Sequence, residues 1–211
     1  MRLTRLYLPE ELAPGKELPL PENARRHLIQ VLRARPGQRL RLFNGRGGEY
    51  EAELVRAERR EAIVRVHAFD PVDRESPLDL TLVQGIAKGP RMDLALQKAT
   101  ELGVRRIVPL VCARSSLPGK RLDRKHEHWL GVIASACEQS GRTRLPELFP
   151  PLTLDEYLNE PTPQRLFLHP ETTPAVQAFG ELEREARIDV VVGPEGGLSE
   201  TERTQLLAAG A

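Results

Sequence analysis

The segment from Ile188 to Glu202 constrains the fold most tightly, because three local signals follow one another in it without a gap. Ile188-Asp189-Val190-Val191-Val192 is a short β-branched run, the pattern of a strand buried in a sheet. Gly193-Pro194-Glu195-Gly196-Gly197 then turns the chain sharply, since glycine alone reaches positive φ at little steric cost. Ser199, with Glu202 three residues on, is a capping box and starts a helix. Strand, glycine-rich turn and helix in that order place the turn at the carboxyl end of a strand in an α/β sheet. Such sheets take up small ligands at that edge, so the turn is a candidate binding site.

The rest of the C-terminal part follows the same rhythm. Strands are predicted over Leu78–Ala87, Ile107–Val111 and Arg165–Leu168, and helices over Asp93–Leu102, Asp123–Gln139, Pro174–Arg187 and Ser199–Ala209. Leu94, Leu96, Ala99 and Leu102 are available to pack one helix, and Thr153 with Glu156 forms a second capping box. Alternation of this kind predicts a mostly parallel sheet with helices on both faces. Gly210-Ala211 closes the chain where such a sheet normally runs on into another strand, so a further C-terminal segment is expected.

Residues 1–70 read differently. Leu3–Leu8, Arg39–Phe43, Glu49–Val55 and Ala62–Phe69 alternate apolar and polar side chains as half-buried strands do, and Asn44-Gly45 supplies a hairpin turn. One helix interrupts them, with Asn23 as its cap and His27, Leu28, Val31 and Leu32 on one face. A small barrel with an inserted helix fits this pattern, and barrels of that size often grip nucleic acid. Residues 71–77 are polar, contain two prolines and read as a linker, so the second domain is expected over 78–211.

Charge agrees with a polyanionic partner. The net charge of +1 hides seven arginines and no acid between Ala24 and Gly48, and four arginines against twelve acids between Leu145 and Ala211. Arg105–Arg144 holds nine basic and three acidic residues. Two basic stretches in one chain favour nucleic acid over a merely solvated surface. Twenty-six of the 31 basic residues are arginine, whose fork matches phosphate in bidentate fashion. No run approaches the roughly 20 apolar residues of a membrane span, and the N-terminus has no signal-peptide stretch, so a cytoplasmic protein is expected. Cys112 and Cys137 form no CxxC pair and read as reduced, buried thiols.

The chemistry-bearing motifs are unlike those of common hydrolases or nucleotide-binding folds: Gly-x-Ser-x-Gly, a Walker loop and a dinucleotide fingerprint are all missing. His126-Glu127-His128 has metal-ligand residue types, but i, i+2 imidazoles diverge on a helix, so no metal site is expected. Two turns follow neighbouring strands: Leu168-His169-Pro170-Glu171 and Gly193-Pro194-Glu195-Gly196-Gly197, with Leu198 beyond. Backbone groups exposed there can hydrogen-bond a purine edge, and together the turns favour a pocket. Lys88, Arg91, Lys98 and Glu101 make the helix after the first long strand unusually polar, with Lys98 and Glu101 spaced to pair. Cys137-Glu138-Gln139-Ser140-Gly141-Arg142 is a second polar cluster.

These pieces together resemble the RsmE family, the ribosomal RNA uridine-N3 methyltransferases of the SPOUT superfamily. The matching residues are His27-Leu28 through Val31-Leu32-Arg33, Lys88 with Arg91-Met92, Gln97–Val104, Glu138–Arg142 and Gly193–Gly197, in the family's order over nearly the whole chain. The resemblance implies an α/β protein: a PUA-like RNA-binding barrel followed by a trefoil-knotted methyltransferase domain, an exception to the rule against knots. It implies S-adenosylmethionine as methyl donor, a homodimer, and small-subunit ribosomal RNA as partner, without membrane or metal. The family's last motif, a Leu-Gly turn into another helix, is not reached by Ala211 and is expected in a further segment.

Uridine N3 carries a proton, so the reaction needs a base or a group that stabilises the ring anion. Within the matched motifs the carboxylates are Glu101, Glu138 and Glu195 and the cations Arg91 and Arg142. Arg142 is expected to stabilise the anion and Glu195 to serve as pocket residue or base, with Glu101 as a further catalytic candidate. Leu168, His169, Pro170, Gly193, Pro194, Glu195, Gly196, Gly197 and Leu198 are the expected cofactor contacts. Arg5, Arg25, Arg26, Arg33, Lys88 and Arg91 are the expected RNA contacts. A non-catalytic RNA-binding or assembly factor, and a ribose 2′-O-methyltransferase of the same superfamily, are the alternatives.

Overall fold

The computed structural model describes residues 3–115, 122–161, 164–168 and 187–211. It divides into two compact units, Met1–Glu75 with Cys137–Leu145, and Ser76–Ala136 with Pro146–Ala211.

The first unit holds β1 (Thr4–Tyr7), β2 (Glu17–Pro19), α1 (Glu22–Arg26), a π-type turn (His27–Val31), β3 (Arg39–Phe43), β4 (Glu49–Ala57) and β5 (Ala62–Asp70). They form one sheet of five strands in the order β1-β3-β4-β5-β2. Only β1 and β3 pair in parallel; the other pairings are antiparallel. Alternation decides which side chains turn inward. Leu40 and Leu42 of β3 are buried while Arg39 and Arg41 face away, and Leu6, Leu54, Val64 and Val66 complete the same core. The short strand β2 carries too few alternating residues to be visible in the sequence.

The helix in this unit departs from the expected one. Asn23 caps nothing beyond its neighbour: Pro21 is the N-cap residue, and the Asn23 side chain accepts only from the Ala24 amide. After Arg26 the hydrogen bonding slips to i→i+5, with the Leu32 amide donating to the His27 carbonyl at 3.0 Å. The extra residue in that turn swings Val31 and Leu32 off the face that Leu28 occupies. Leu28 is buried, the Ala34 amide returns to its carbonyl at 3.0 Å, and Val31 and Leu32 are exposed.

The second unit is a parallel α/β sheet. Its elements are β6 (Leu80–Gly85), α2 (Pro90–Glu101), β7 (Arg106–Val111), α3 (Leu122–Ser140, whose last turn from Cys137 belongs to the first unit), β8 (Glu147–Leu148), β9 (Leu152–Thr153), α4 (Leu154–Leu158), β10 (Gln164–Phe167), β11 (Ile188–Val192) and α5 (Glu200–Ala208). The strand order is β10-β11-β6-β7-β8, with β9 also on β7, and every pairing is parallel. The chain leaves β6 toward β7 yet reaches β11, on the other side of β6, from β10. Neighbouring strands fed from opposite directions open a crevice at their carboxyl ends. Val83, Val108, Leu110, Tyr157, Val191 and Leu206 form the core beneath it.

Both capping boxes are complete, Thr153 with Glu156 and Ser199 with Glu202. Trp129 is buried, and both cysteines are buried and free. The packing face of α2 differs from expectation: Met92, Leu96 and Thr100 are buried, whereas Leu94 and Leu102 are exposed. That helix begins at Pro90, three residues ahead of Asp93, because proline at its first position needs no amide partner. The helix expected over Pro174–Arg187 lies outside the described residues apart from Arg187.

Candidate functional site

The carboxyl ends of β10, β11, β6 and β7 converge on the Gly193–Gly197 turn. Parallel pairing in register sets Phe167 of β10 beside Val191 of β11 and Gln84 of β6 beside Val192. Leu168 continues the first ladder, its amide donating to the Val191 carbonyl at 3.0 Å, and its side chain is exposed. His169 and Pro170 lie outside the described residues.

Gly85 is where the turn is seated. A Cβ built there would lie 2.5 Å from both Cδ and N of Pro194, closer than real Cβ contacts. Glycine at this strand end therefore lets the Pro194 backbone cross β6 at close range. Buried Gln84 donates to the Gly85 carbonyl at 2.9 Å and to the Gly193 carbonyl at 3.4 Å. Within the turn the Gly197 amide closes on the Pro194 carbonyl at 2.8 Å, and Gly197 has φ +71°, a left-handed conformation.

Three side chains brace the turn. Glu195 accepts from the Lys88 amide at 2.9 Å and faces the Arg91 guanidinium at 3.4 Å. Those donors, the Lys88 amide first, hold its carboxyl below the usual carboxylate range. Arg114, beyond β7, donates to the Gly196 carbonyl at 2.7 Å. Glu202 of α5 accepts from the Ala113 amide at 2.7 Å while its box bond returns to Ser199, so the helix start is fixed to the β7 end as well.

Lys88, Arg91, Leu168 and Gly193–Leu198 are thus gathered at one sheet edge. Glu101 stands at the far end of α2, where Lys98 at 2.7 Å and Gln97 at 2.9 Å occupy its carboxylate and Lys98 chiefly holds its pKa down. Arg142 belongs to the first unit. It is buried, with Nε 3.0 Å from Glu75, so its charge is already committed to a carboxylate. Glu138, in the same unit, accepts from the Tyr7 amide at 2.9 Å, and burial pushes its carboxyl up.

Arg5 requires correction as an RNA contact. Its side chain is 8% exposed, and it pairs with Glu49 at 3.2 Å, donates to the carbonyls of Cys137 and Arg142, and lies over the Phe43 ring. A guanidinium this buried, with all three of its nitrogens bonded inside the unit, is not presented to a phosphate. Arg26 and Arg33 are exposed, and Arg25 is half-buried, with a donor on the Arg59 carbonyl. Sequence reasoning missed Gln84, Gly85 and Arg114, because their importance comes from strand neighbours far away in the chain. His126 and His128 go to different partners, the Leu148 carbonyl and Asp93, and the described residues contain no group of three His, Cys, Asp or Glu side chains able to hold a metal. Burial pushes the thiols of Cys112 and Cys137 up to about 12, so neither is a thiolate nucleophile near neutral pH.

Residues 74–211 match the model of an RNA methyltransferase domain, and residues 20–66 that of an RNA methyltransferase PUA domain. Ribosomal RNA small subunit methyltransferase E of Mycobacterium tuberculosis is 32% identical over 88% of this chain and 73% of its own. The enzyme of that name from Neisseria gonorrhoeae, solved bound to S-adenosyl methionine, is 37% identical with a TM-score of 0.90, over 99% of this chain and 87% of its own. A Legionella pneumophila protein solved with SAM is 35% identical with a TM-score of 0.91, over 100% of this chain and 87% of its own.

Proposed function

This chain belongs to the ribosomal RNA small subunit methyltransferase E family of RNA methyltransferases, and from that premise we propose that it transfers a methyl group from S-adenosylmethionine to N3 of a uridine in small-subunit ribosomal RNA. The observation that carries the reading is the braced Gly193–Gly197 turn at the crevice between β6 and β11.

The turn fits an adenosyl group. Its glycines present bare backbone, Leu168 at the neighbouring strand end is exposed, and Leu198 packs between the turn and the core. Leu168, Gly193, Pro194, Gly196, Gly197 and Leu198 are the residues we assign to it, with His169 and Pro170 following Leu168 in sequence. S-adenosylmethionine supplies an electrophilic methyl group on a sulfonium. What the chain supplies is position: each brace on the turn reduces its freedom, and alignment of two reactants is worth up to about 7–11 kcal/mol of a barrier.

Glu195 acts here as a clasp that ties the turn to Lys88 and Arg91. With its pKa held down it is a weaker base than an ordinary carboxylate. Arg142 is read as a positioning residue, its pair with Glu75 ordering the segment after α3. Arg25, Arg26, Arg33, Lys88 and Arg91 are the proposed phosphate contacts. The finer architecture belongs to the same reading: a PUA-type barrel over residues 1–70, a linker over 71–77, a trefoil-knotted SPOUT domain from 78 onward, and a homodimer acting on the small subunit in the cytoplasm.

The test is methyl transfer from labelled S-adenosylmethionine to small ribosomal subunits and to free RNA, followed by nuclease digestion and mass spectrometry. 3-Methyluridine is expected. A folded protein that binds the donor but labels no RNA, or that leaves the methyl on ribose, refutes the proposal.

A further inference from the structure

We infer that the end of the π-type turn in the first unit, Val31 and Leu32 with Arg26, Arg33 and Arg35 around them, is an RNA-contact surface in which the two apolar side chains pack against unstacked bases while the arginines hold the flanking phosphates. The inference rests on the RNA-modifying function proposed above and locates one patch through which the substrate is gripped.

Three independent observations converge there. The first is exposure. At regular helical spacing Val31 and Leu32 would share the buried face of Leu28, yet they are 66% and 44% exposed. The second is backbone geometry. The i→i+5 turn that exposes them is followed by Arg33 at φ +53°, the only non-glycine residue with positive φ among the described residues. A left-handed conformation costs a non-glycine residue about 1–2 kcal/mol, and such local strain, like π-type turns, recurs at functional sites.

The third observation is uncompensated charge. Arg41, Arg56 and Arg65 of the same unit meet Glu51 and Asp70, Glu61 and Glu17, while exposed Arg39, Arg46, Arg59 and Arg60 form no ion pair among the described residues either, so what marks this patch is unpaired arginines beside exposed aliphatic side chains. No ion pair reaches Arg26, Arg33 or Arg35 among the described residues, and Ala24–Gly48 contains no acid to provide one. A patch of two aliphatic side chains among free guanidinium groups suits neither a protein core nor an acidic peptide alone. It suits a polyanion with apolar faces, and RNA with exposed bases is that partner. Arginines neutralise the backbone, and aliphatic side chains insert beside bases as wedges.

The two contributions separate by salt. Each phosphate contact adds roughly 0.7 to the slope of log affinity against log salt for single strands, whereas an apolar contact adds nothing. Binding of a small-subunit ribosomal RNA transcript is measured by anisotropy across a KCl series, with donor affinity measured by calorimetry on the same samples. The double variant Val31→Ser/Leu32→Ser, and Val31→Ser alone, are expected to bind RNA about tenfold and about threefold more weakly with the wild-type slope. Arg26→Ala/Arg35→Ala is expected to lower the slope by about 1.4. Donor affinity stays at the wild-type value in all of them.

Serine variants that bind and accept methylation substrate as the wild type does, within twofold, overturn this inference and leave the proposed function standing. Serine variants that change the sedimentation mass instead mark a surface between copies of the chain and also overturn it. A wild-type protein with no measurable RNA binding overturns the proposed function itself.

Discussion

Gly85→Ala tests how the candidate site is built. The added methyl would stand 2.5 Å from Cδ and N of Pro194 and 2.8 Å from the Gly193 carbonyl carbon. Ordinary carbon contacts lie at about 3.5–4.0 Å, so either the β6 end or the turn must retreat by roughly 1–1.5 Å. Neither is a flexible side-chain tip: one is strand backbone paired on both sides, the other is braced by Gln84, Glu195 and Arg114. Overpacking of this kind costs about 1–3 kcal/mol. For a chain of this length that lowers the melting temperature by about 2–12 °C, and the share expressed as displacement of the turn weakens donor binding by up to about two orders of magnitude. Gly131→Ala is the matched control. Gly131 lies inside α3 with nothing within 4 Å of its added Cβ, so alanine there is expected to stabilise by about 0.5–1 kcal/mol and leave donor affinity unchanged. Thermal unfolding and calorimetry on both variants decide the matter. A Gly85→Ala protein with wild-type melting temperature and donor affinity refutes the argument that close approach at this glycine seats the site.

Glu49→Gln should destabilise the protein by about 3–5 kcal/mol in urea titrations, because it strands buried Arg5 without its carboxylate; a loss below about 1 kcal/mol means the pair is dispensable. Glu138 carries a pH signature. Burial raises its carboxyl above the unfolded value of about 4.3, so the unfolded chain ionises first and stability is lost as pH climbs through the interval between the two. Glu138→Gln should gain stability relative to wild type across that interval and match it below, and a difference independent of pH contradicts the assignment. Glu195→Gln keeps an oxygen for the Lys88 amide but gives up the charge facing Arg91. Donor affinity should fall a few-fold while the acid limb of the pH–rate profile stays in place; loss of that limb would identify Glu195 as the base.

Local signals made much of this fold legible in the sequence. The strand Ile188–Val192, the capping boxes at Thr153 and Ser199 and the alternating strands of the first unit depend on neighbours within a few residues, and each forms as its residues dictate. What stayed hidden depends on contacts across the chain. Gly85 reads as an ordinary strand-end glycine until Pro194, more than a hundred residues away, lies across it. Arg5 reads as a surface cation in an alternating strand until Glu49 and two carbonyls absorb its donors. Val31 and Leu32 read as core because helical spacing was assumed, and one slipped hydrogen bond reverses their side. Asp189 is the same lesson in reverse: inside a β-branched run it is fully buried, held by the Tyr157 hydroxyl at 3.1 Å and by Arg187 at 3.0 Å.

The carboxylates of the matched motifs narrow the way the proposed reaction can run. Deprotonating a ring nitrogen calls for a base with a pKa near the working pH. Glu101 and Glu195 are pulled the other way, each by hydrogen bonds that favour the charged form. Glu138 is pushed toward neutrality, but its oxygen accepts from the Tyr7 amide and serves the first unit's own structure. The thiols are out of range. None of these groups is tuned as a strong general base, while the Gly193–Gly197 turn, the proposed donor site, is over-braced for a simple loop. That distribution is what a transfer driven by alignment requires: proton loss can go to water once the nucleophile is held against the methyl group, provided a cation lies near the developing ring charge. Arg91, exposed and 3.4 Å from the Glu195 clasp, is a cation at this sheet edge open to the proposed reaction. Arg91→Ala should therefore reduce the rate at saturating donor more than it reduces donor affinity, and equal losses in both would return the burden to a base not yet seen.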